Sequence, residues 1–348
     1  MIEFNKKQQK ILEIVLKNEK ISSSEIYKKM EEYSLVTIKR AISELAELKA
    51  LIVSGSGRST VYSLSTMGRL FLDIDDDKYC SIEPDSRYGL DSYNFNLFDK
   101  KLVSFLNQQE ITNLDIATKE YQEKSKNLSQ AIKKKELERF IIELSWKSSK
   151  LEGNTYTLLD TEKLLLENKE AEGKTKIETQ MIINHKKAFQ FIVENINDFK
   201  ELNITNLKEL HAIIVQGLDI SFDFRKNPVG ITGSVYKPLD NAYQIEDALK
   251  NLINRIDEMN DYYSKVLLLI LGISYIQPFE DGNKRTSRLM ADAILMSNGF
   301  CPLSYRSINE EEYRNAILTF YEINSIIPFK KIFIEQYIFT SKNYLKGY

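Results

Sequence analysis

The stretch "IQPFEDGNKRTSR", residues 276–288, decides how this chain is read. It closes "VLLLILGISYI" (266–276), an apolar run that predicts a buried central helix and is too short to span a bilayer. Pro278 disfavours helical backbone at the residue before it, so the helix ends near Gln277. Phe279 turns inward to anchor a tight polar loop. Glu280 and Asp281 supply carboxylates, and Gly282 admits a backbone conformation that other residues resist. A second helix starts near Asn283 or Lys284, where free N–H groups and the helix dipole attract an anion. Arg285 and Arg288, three apart, sit close together on that helix. Guanidinium forks suit phosphate oxygens. A carboxylate beside them can hold Mg²⁺ against a polyphosphate. The stretch therefore reads as a phosphate site. A base would be useful at its first polar position, yet Gln277 is not a base.

The chain has 348 residues, enough for a sizeable core and two or more domains. Its 43% apolar and 28% charged residues are those of an ordinary globular protein, and a net charge of −2 gives no global signal for nucleic acid or membrane. Cys80 and Cys301 lack metal or redox spacing and read as reduced thiols of a cytoplasmic protein. The opening "MIEFNKKQQKILEIV" mixes charges into its apolar positions, unlike a signal peptide. His185 and His211 are the only histidines, so a histidine-rich metal site is excluded. Both fall in helical patterns among apolar neighbours and read as structural. Trp146 reads as core.

Residues 1–72 predict a small module. "NKKQQKILEIVLKN" is an amphipathic helix, and "ISSSEIYKKM" is a short helix with a serine cap before Glu25. "SLVTIKRAISELAELKALI" is a third helix, with Ile38, Ile42, Leu45 and Leu48 at helical spacing and Lys39, Arg40 and Ser43 on the other side. "IVSGSGRSTVYSL" reads as a β-hairpin with Gly55 and Gly57 in its turn. This order resembles a winged helix. That resemblance implies DNA contact by the third helix through Lys39 and Arg40, and by Arg58 of the wing. Twelve Lys or Arg against eight Glu support it. Glu44 and Glu47 would repel phosphate and keep a protein-interaction or dimerisation wing open.

The acidic, turn-rich stretch 73–99 reads as a linker or covering loop. Residues 100–348 predict a mostly helical domain, with helical patterns over 100–137, 139–151, 160–168, 175–197, 205–217, 243–260, 262–276, 284–298, 309–325 and 328–346. One break, "NPVGITGSVYKPL" (227–239), predicts a single β-hairpin. The fold class is thus mostly α, a winged helix followed by a helical domain with one hairpin.

The 277–288 stretch resembles the Fic signature H-P-F-x-[DE]-G-N-[GK]-R-x-x-R; here it is Q-P-F-E-D-G-N-K-R-T-S-R, departing only at the first position. The resemblance extends over roughly 100–346, including "LKELHAIIVQGL" and "EEYRNAILTFYE". It implies a protein that binds ATP with Mg²⁺ and transfers AMP to a hydroxyl of a target protein. Asp281 would hold Mg²⁺; Gly282, Asn283 and Lys284 would cradle phosphates; Arg285 and Arg288 would grip the triphosphate. Residues Val229, Gly230, Ile231, Thr232, Gly233, Ser234, Val235 and Tyr236 would form a flap that clamps an extended target segment. Upstream, "SSKLEGN" (148–154) resembles the family's inhibitory motif through Ser148, Glu152 and Gly153, on a helix at about 139–154. That motif implies a Glu152–Arg288 pair that blocks the γ-phosphate position.

Two departures qualify the activity. Fic enzymes use the first signature histidine as a base near neutral pH; an amide at Gln277 orients a hydroxyl but takes no proton. Lys284 stands where many AMP-transferring members have glycine, and Doc-type phosphate-transferring relatives also have lysine there. Three readings follow: an autoinhibited nucleotidyltransferase made weak or inactive by Gln277; a nucleotide-sensing, DNA-binding transcriptional regulator; and Doc-like phosphate transfer or AMP removal.

Overall fold

The computed structural model describes residues 3–98, 104–126 and 128–344. Helices follow one another along almost the whole chain. The contacts divide it into two units.

The first unit comprises Met1–Leu97, Gly230–Lys237 and Asn315–Lys331. It opens with α1 (Lys6–Asn18), α2 (Ser23–Lys28) and α3 (Leu35–Glu47). Asn5, Ser22 and Ser34 cap these three helices through their side chains, satisfying N–H groups that the helix leaves free. Ile38, Ile42 and Leu45 of α3 are buried, whereas Leu48, the expected fourth core position, is 40% exposed because the helix has ended there. β1 (Leu51–Ser54) pairs antiparallel with β2 (Val61–Leu64) in the register Leu51↔Leu64, and Gly55 and Gly57 take positive φ between them. Then come α4 (Thr66–Leu70) and α5 (Asp76–Cys80).

The stretch 73–97 is no free linker. Tyr79, Tyr93 and Leu97 are buried, and backbone or side-chain bonds tie Leu70, Leu72 and Asp73 to Ile326, Ser325 and Lys331. Its acidic character hid these apolar anchors. The sequence-based boundary at 99–100 lies outside the described residues.

The expected hairpin at 227–239 is also different. The segment makes a turn, with the Ser234 N–H donating to the Ile231 carbonyl at 3.1 Å, but no ladder. Pro228 and Pro238 bracket it and remove donors a ladder would need. Among the described residues β1 and β2 form the one sheet, and Lys237 makes an isolated parallel bridge to Ser92.

The second unit comprises Phe98–Val229, Pro238–Arg314 and Ile332–Tyr348. Its helices are α6 (Gln108–Lys126), α7 (Gln130–Lys150), α8 (Leu158–Glu167), α9 (Lys176–Glu194), α10 (Ile204–Ile214), α11 (Ala242–Asp257), α12 (Tyr262–Ile276) and α13 (Asn283–Ser297). The unit boundary falls inside α14 (Glu310–Ile323) and α15 (Ile327–Asn343). The patterns expected as 100–137 and 139–151 are divided elsewhere: Ser129 caps α7, so one helix runs unbroken through residue 138. Every residue of α12 from Val266 to Ile276 is buried. It is the core helix, packed between α11 and α13. Burial of each large aliphatic side chain there contributes about 1.5–3 kcal/mol, which fixes the end of α12 and hence the loop after it. Among the described residues no helix is long and apolar enough to cross a membrane.

Candidate active site

The loop from α12 to α13 is built around its backbone. Gln277 ends α12 in the left-handed region (φ 51°, ψ 61°), its N–H donating to the Ile273 carbonyl at 3.0 Å. Its amide is engaged at both ends. Nε2 donates to the Ser274 carbonyl at 2.6 Å, and Oε1 accepts from Asn283 Nδ2 at 2.9 Å. Asn283 in turn accepts from the Phe279 N–H and donates to the Phe279 carbonyl, both at 2.8 Å. Phe279 is fully buried, as its inward turn predicts. Gly282 precedes α13 at φ 80°. A β-carbon there would also lie 3.2 Å from Val215 Cγ1 and 3.3 Å from Ile214 Cγ2, so the position calls for glycine on two grounds.

The two arginines of α13 differ in what they hold. Arg285 is almost wholly buried and donates from Nη2 to Asp281 Oδ2 at 2.9 Å. Its Nε and Nη1 are buried with no hydrogen-bond partner among the described residues. Two such donors are costly unless an acceptor meets them, which is what a phosphate oxygen supplies. Arg288 is fully buried, and each of its three guanidinium nitrogens is hydrogen-bonded. Nε donates to Ser148 Oγ at 3.0 Å, Nη2 to the Ser148 carbonyl at 2.8 Å, and Nη1 to Glu152 Oε1 at 2.8 Å and Tyr313 Oη at 3.2 Å. The rings of Tyr305 and Tyr313 lie 5.8 and 5.6 Å from its guanidinium carbon.

Glu152 lies just past the end of α7, in a turn that Gly153 continues at φ 89°. The C-terminal end of a helix dipole repels a carboxylate there. Two cations outweigh it: Arg288 at 2.8 Å and Lys284 Nζ, which reaches Glu152 Oε2 at 3.1 Å. Burial would push the Glu152 carboxyl up, but the charges of Arg288 and Lys284 hold it below its ordinary value. The predicted partners Ser148, Glu152 and Arg288 thus meet. Lys284, expected at phosphates, is the second cation on Glu152.

Asp281 is 64% exposed and shares its charge with Arg285. Among the described residues no cluster of three metal-ligating side chains exists. A single exposed carboxylate beside buried unpartnered guanidinium donors fits Mg²⁺ delivered with a polyphosphate, since Mg²⁺ takes one or two carboxylates and completes its shell with phosphate and water.

Neither histidine is a substitute base. His185 is fully buried, and burial together with the positive charges of Arg288 and Arg285 pushes it well below its ordinary value. His211 is likewise pushed down to about 4, chiefly by burial. Its ring stacks on Phe279 at 3.6 Å between centroids, and Nε2 donates to the Asp281 carbonyl at 3.0 Å. His211 therefore shapes the loop, a role its apolar neighbours in the sequence concealed. Arg225 was also missed. Buried, it donates from Nε to the Gln277 carbonyl at 2.6 Å, from its backbone N–H to the Pro278 carbonyl at 2.9 Å, and from its guanidinium to the Asn227 and Leu239 carbonyls. No motif marks it; only the fold brings those carbonyls together. Trp146 is half-buried and donates to the Tyr156 carbonyl at 3.1 Å.

A buried helix, a tight loop and a carboxylate clamped on the arginine of the next helix make up the candidate site. Residues 201–295 match the Fic/DOC family, and this chain carries a Fic/DOC domain. It is 31% identical over 164 residues to the protein adenylyltransferase Fic of Drosophila willistoni, and 30% identical over 156 residues to that of Drosophila ananassae. Each match covers 44% of this chain and 31% of the relative, so the chain spans about a third of the length of these curated relatives. Among solved structures it is similar to Fic-1 of C. elegans, with TM-score 0.59, 18% identity, and 67% of this chain and 71% of that chain covered. It is also similar to a Fic-domain-containing signalling protein of Bacteroides thetaiotaomicron, with TM-score 0.54, 22% identity, and 66% and 94% covered. These structures share the fold.

Proposed function

We propose that this protein binds Mg-ATP at the 277–288 loop as a Fic-type nucleotidyltransferase restrained by Glu152. The observation that carries the reading is the asymmetry of the two arginines. Arg285 offers two buried unpartnered donors, whereas Arg288 is filled by Glu152 and Ser148. The nucleotide's outer phosphate competes with Glu152 for Arg288 and Lys284. Asp281 holds Mg²⁺, which supplies neutralisation of phosphate charge. Gly282, Asn283 and Arg285 orient the phosphates. The transferred group is AMP, and its acceptor is a protein hydroxyl presented along 229–236. Turnover is slow, because the Gln277 amide is tied to Ser274 and Asn283 and takes no proton.

That same engagement of Gln277 favours a second reading, a nucleotide-sensing regulator that binds ATP without transfer. Lys39, Arg40 and Arg58 are exposed, as contact with DNA requires. Arg40 pairs with Glu44 at 3.2 Å, which tempers its charge. Incubation of the Glu152→Gly protein with ATP labelled at the α- or γ-phosphate separates the readings. Protein-bound α-label supports AMP transfer. γ-Label marks Doc-like phosphate transfer, and Mg-ATP binding with neither label leaves the regulator.

A further inference from the structure

Within the first unit, residues 79–92 bind the segment 230–237 through one buried polar hub. Glu322 of α14 is its centre. Its carboxylate accepts from Tyr79 Oη at 2.7 Å, Ser234 Oγ at 2.5 Å and Arg87 Nη1 at 3.3 Å. The Arg87 and Glu322 side chains are only 5% and 1% exposed. Arg87 also donates from Nη1 to the Gly233 carbonyl at 2.9 Å, and from Nε and Nη2 to the Ile82 and Cys80 carbonyls at 2.8 Å. One guanidinium thus joins its own segment to residue 233. The next residues are held by main chain. Leu90 N–H donates to the Glu322 carbonyl at 2.5 Å, and Lys237 N–H donates to the Asp91 carbonyl at 2.8 Å beside the parallel Ser92↔Lys237 bridge. Gly89, at φ 141°, permits this approach, for a β-carbon there would lie 2.4 Å from the Glu322 carbonyl oxygen.

We propose that residues 87–92 are an intramolecular latch on the backbone edge of 230–237, and that this edge takes another extended polypeptide once the latch leaves. The pairing at Lys237 uses only main-chain groups, which any extended chain offers. Selectivity for the chain's own segment comes from Arg87, the one side chain of the latch that engages both Glu322 and residue 233. The identity of the competitor as a target protein rests on the reading of 229–236 as the flap. On that reading, the latch gates target access independently of Glu152.

The test uses the full chain. In Arg87→Ala, hydrogen exchange of the Lys237 amide rises at least tenfold while amides of α12 and α13 hold their wild-type rates. A labelled synthetic peptide of residues 87–94, RYGLDSYN, binds Arg87→Ala at least tenfold tighter than wild type. Ser234→Ala, which removes one tie to Glu322 without stranding a charge, shows the same trend and decides the matter should Arg87→Ala fail to fold. Unchanged exchange at Lys237 in a folded variant, or equal peptide binding to variant and wild type, overturns the latch. Neither readout involves nucleotide. Failure of the Fic reading appears separately, as absent Mg-ATP binding with the latch readouts intact.

Discussion

Gln277 shows what one side chain changes. Its amide bridges the Ser274 carbonyl and the Asn283 side chain, so it stabilises the loop that a catalytic imidazole would serve. In a Glu152→Gly background, Gln277→His places a base at that position. Protein labelling from α-labelled ATP is expected to rise by about 10²–10⁴-fold, the usual contribution of a general base; no rise, with Mg-ATP still bound, means that more than the base is missing. His211 gives a second prediction, in stability. Its folded value of about 4 lies below its ordinary 6.5, so the unfolded chain takes up a proton between those values and the folded chain does not. Stability from this residue is complete above about pH 6.5 and is lost as pH falls towards 4, amounting to about 3 kcal/mol. His211→Gln abolishes that component. Urea unfolding at pH 7 and pH 4 should show the wild type losing about 3 kcal/mol more than the variant; equal losses would place the proton uptake elsewhere.

At the scale of elements, α12, the loop and α13 act as one piece. Gly282→Ala would force a side chain into positive φ and against Val215 and Ile214, at a cost of about 1–2 kcal/mol. It should lower the melting temperature and weaken Mg-ATP binding together; unaltered binding would show that the start of α13 does not hold the anion. These elements were legible because their signals are local: an apolar run, a proline, a glycine and helical spacing of arginines. The Glu152–Arg288 pair was legible only through family resemblance, since 136 residues separate its partners. The grip of Lys284 on Glu152, the carbonyl-binding Arg225 and the stacked His211 were not legible. Each depends on where helices pack, and an arginine or histidine among mixed neighbours carries no sign of its partner. The segment 227–239 misled because alternation of small and apolar residues imitates a strand where two prolines prevent a ladder. The capped α1–α3 and the hairpin after them were readable throughout, except that α3 ends before Leu48.

At the scale of the molecule, residues 1–72 share their unit with 73–97 and 315–331, so DNA binding belongs in a test on the full chain. Duplex affinity should fall steeply with salt, and alanine at Lys39, Arg40 or Arg58 should each reduce the salt slope by about one. Salt-insensitive or undetectable binding across random duplexes would make the module a protein-interaction surface. The central claim concerns Glu152 as the gate of a nucleotide site, and calorimetric titration of Mg-ATP tests it most directly. Breaking a buried ion pair strands a charge at a cost of several kcal/mol, and the stranded Arg288 then seeks an anion. Glu152→Gly should therefore bind Mg-ATP about 10–100-fold tighter than wild type, and Arg288→Ala should bind it more weakly in either background. Equal Mg-ATP affinity of wild type and Glu152→Gly would contradict the account.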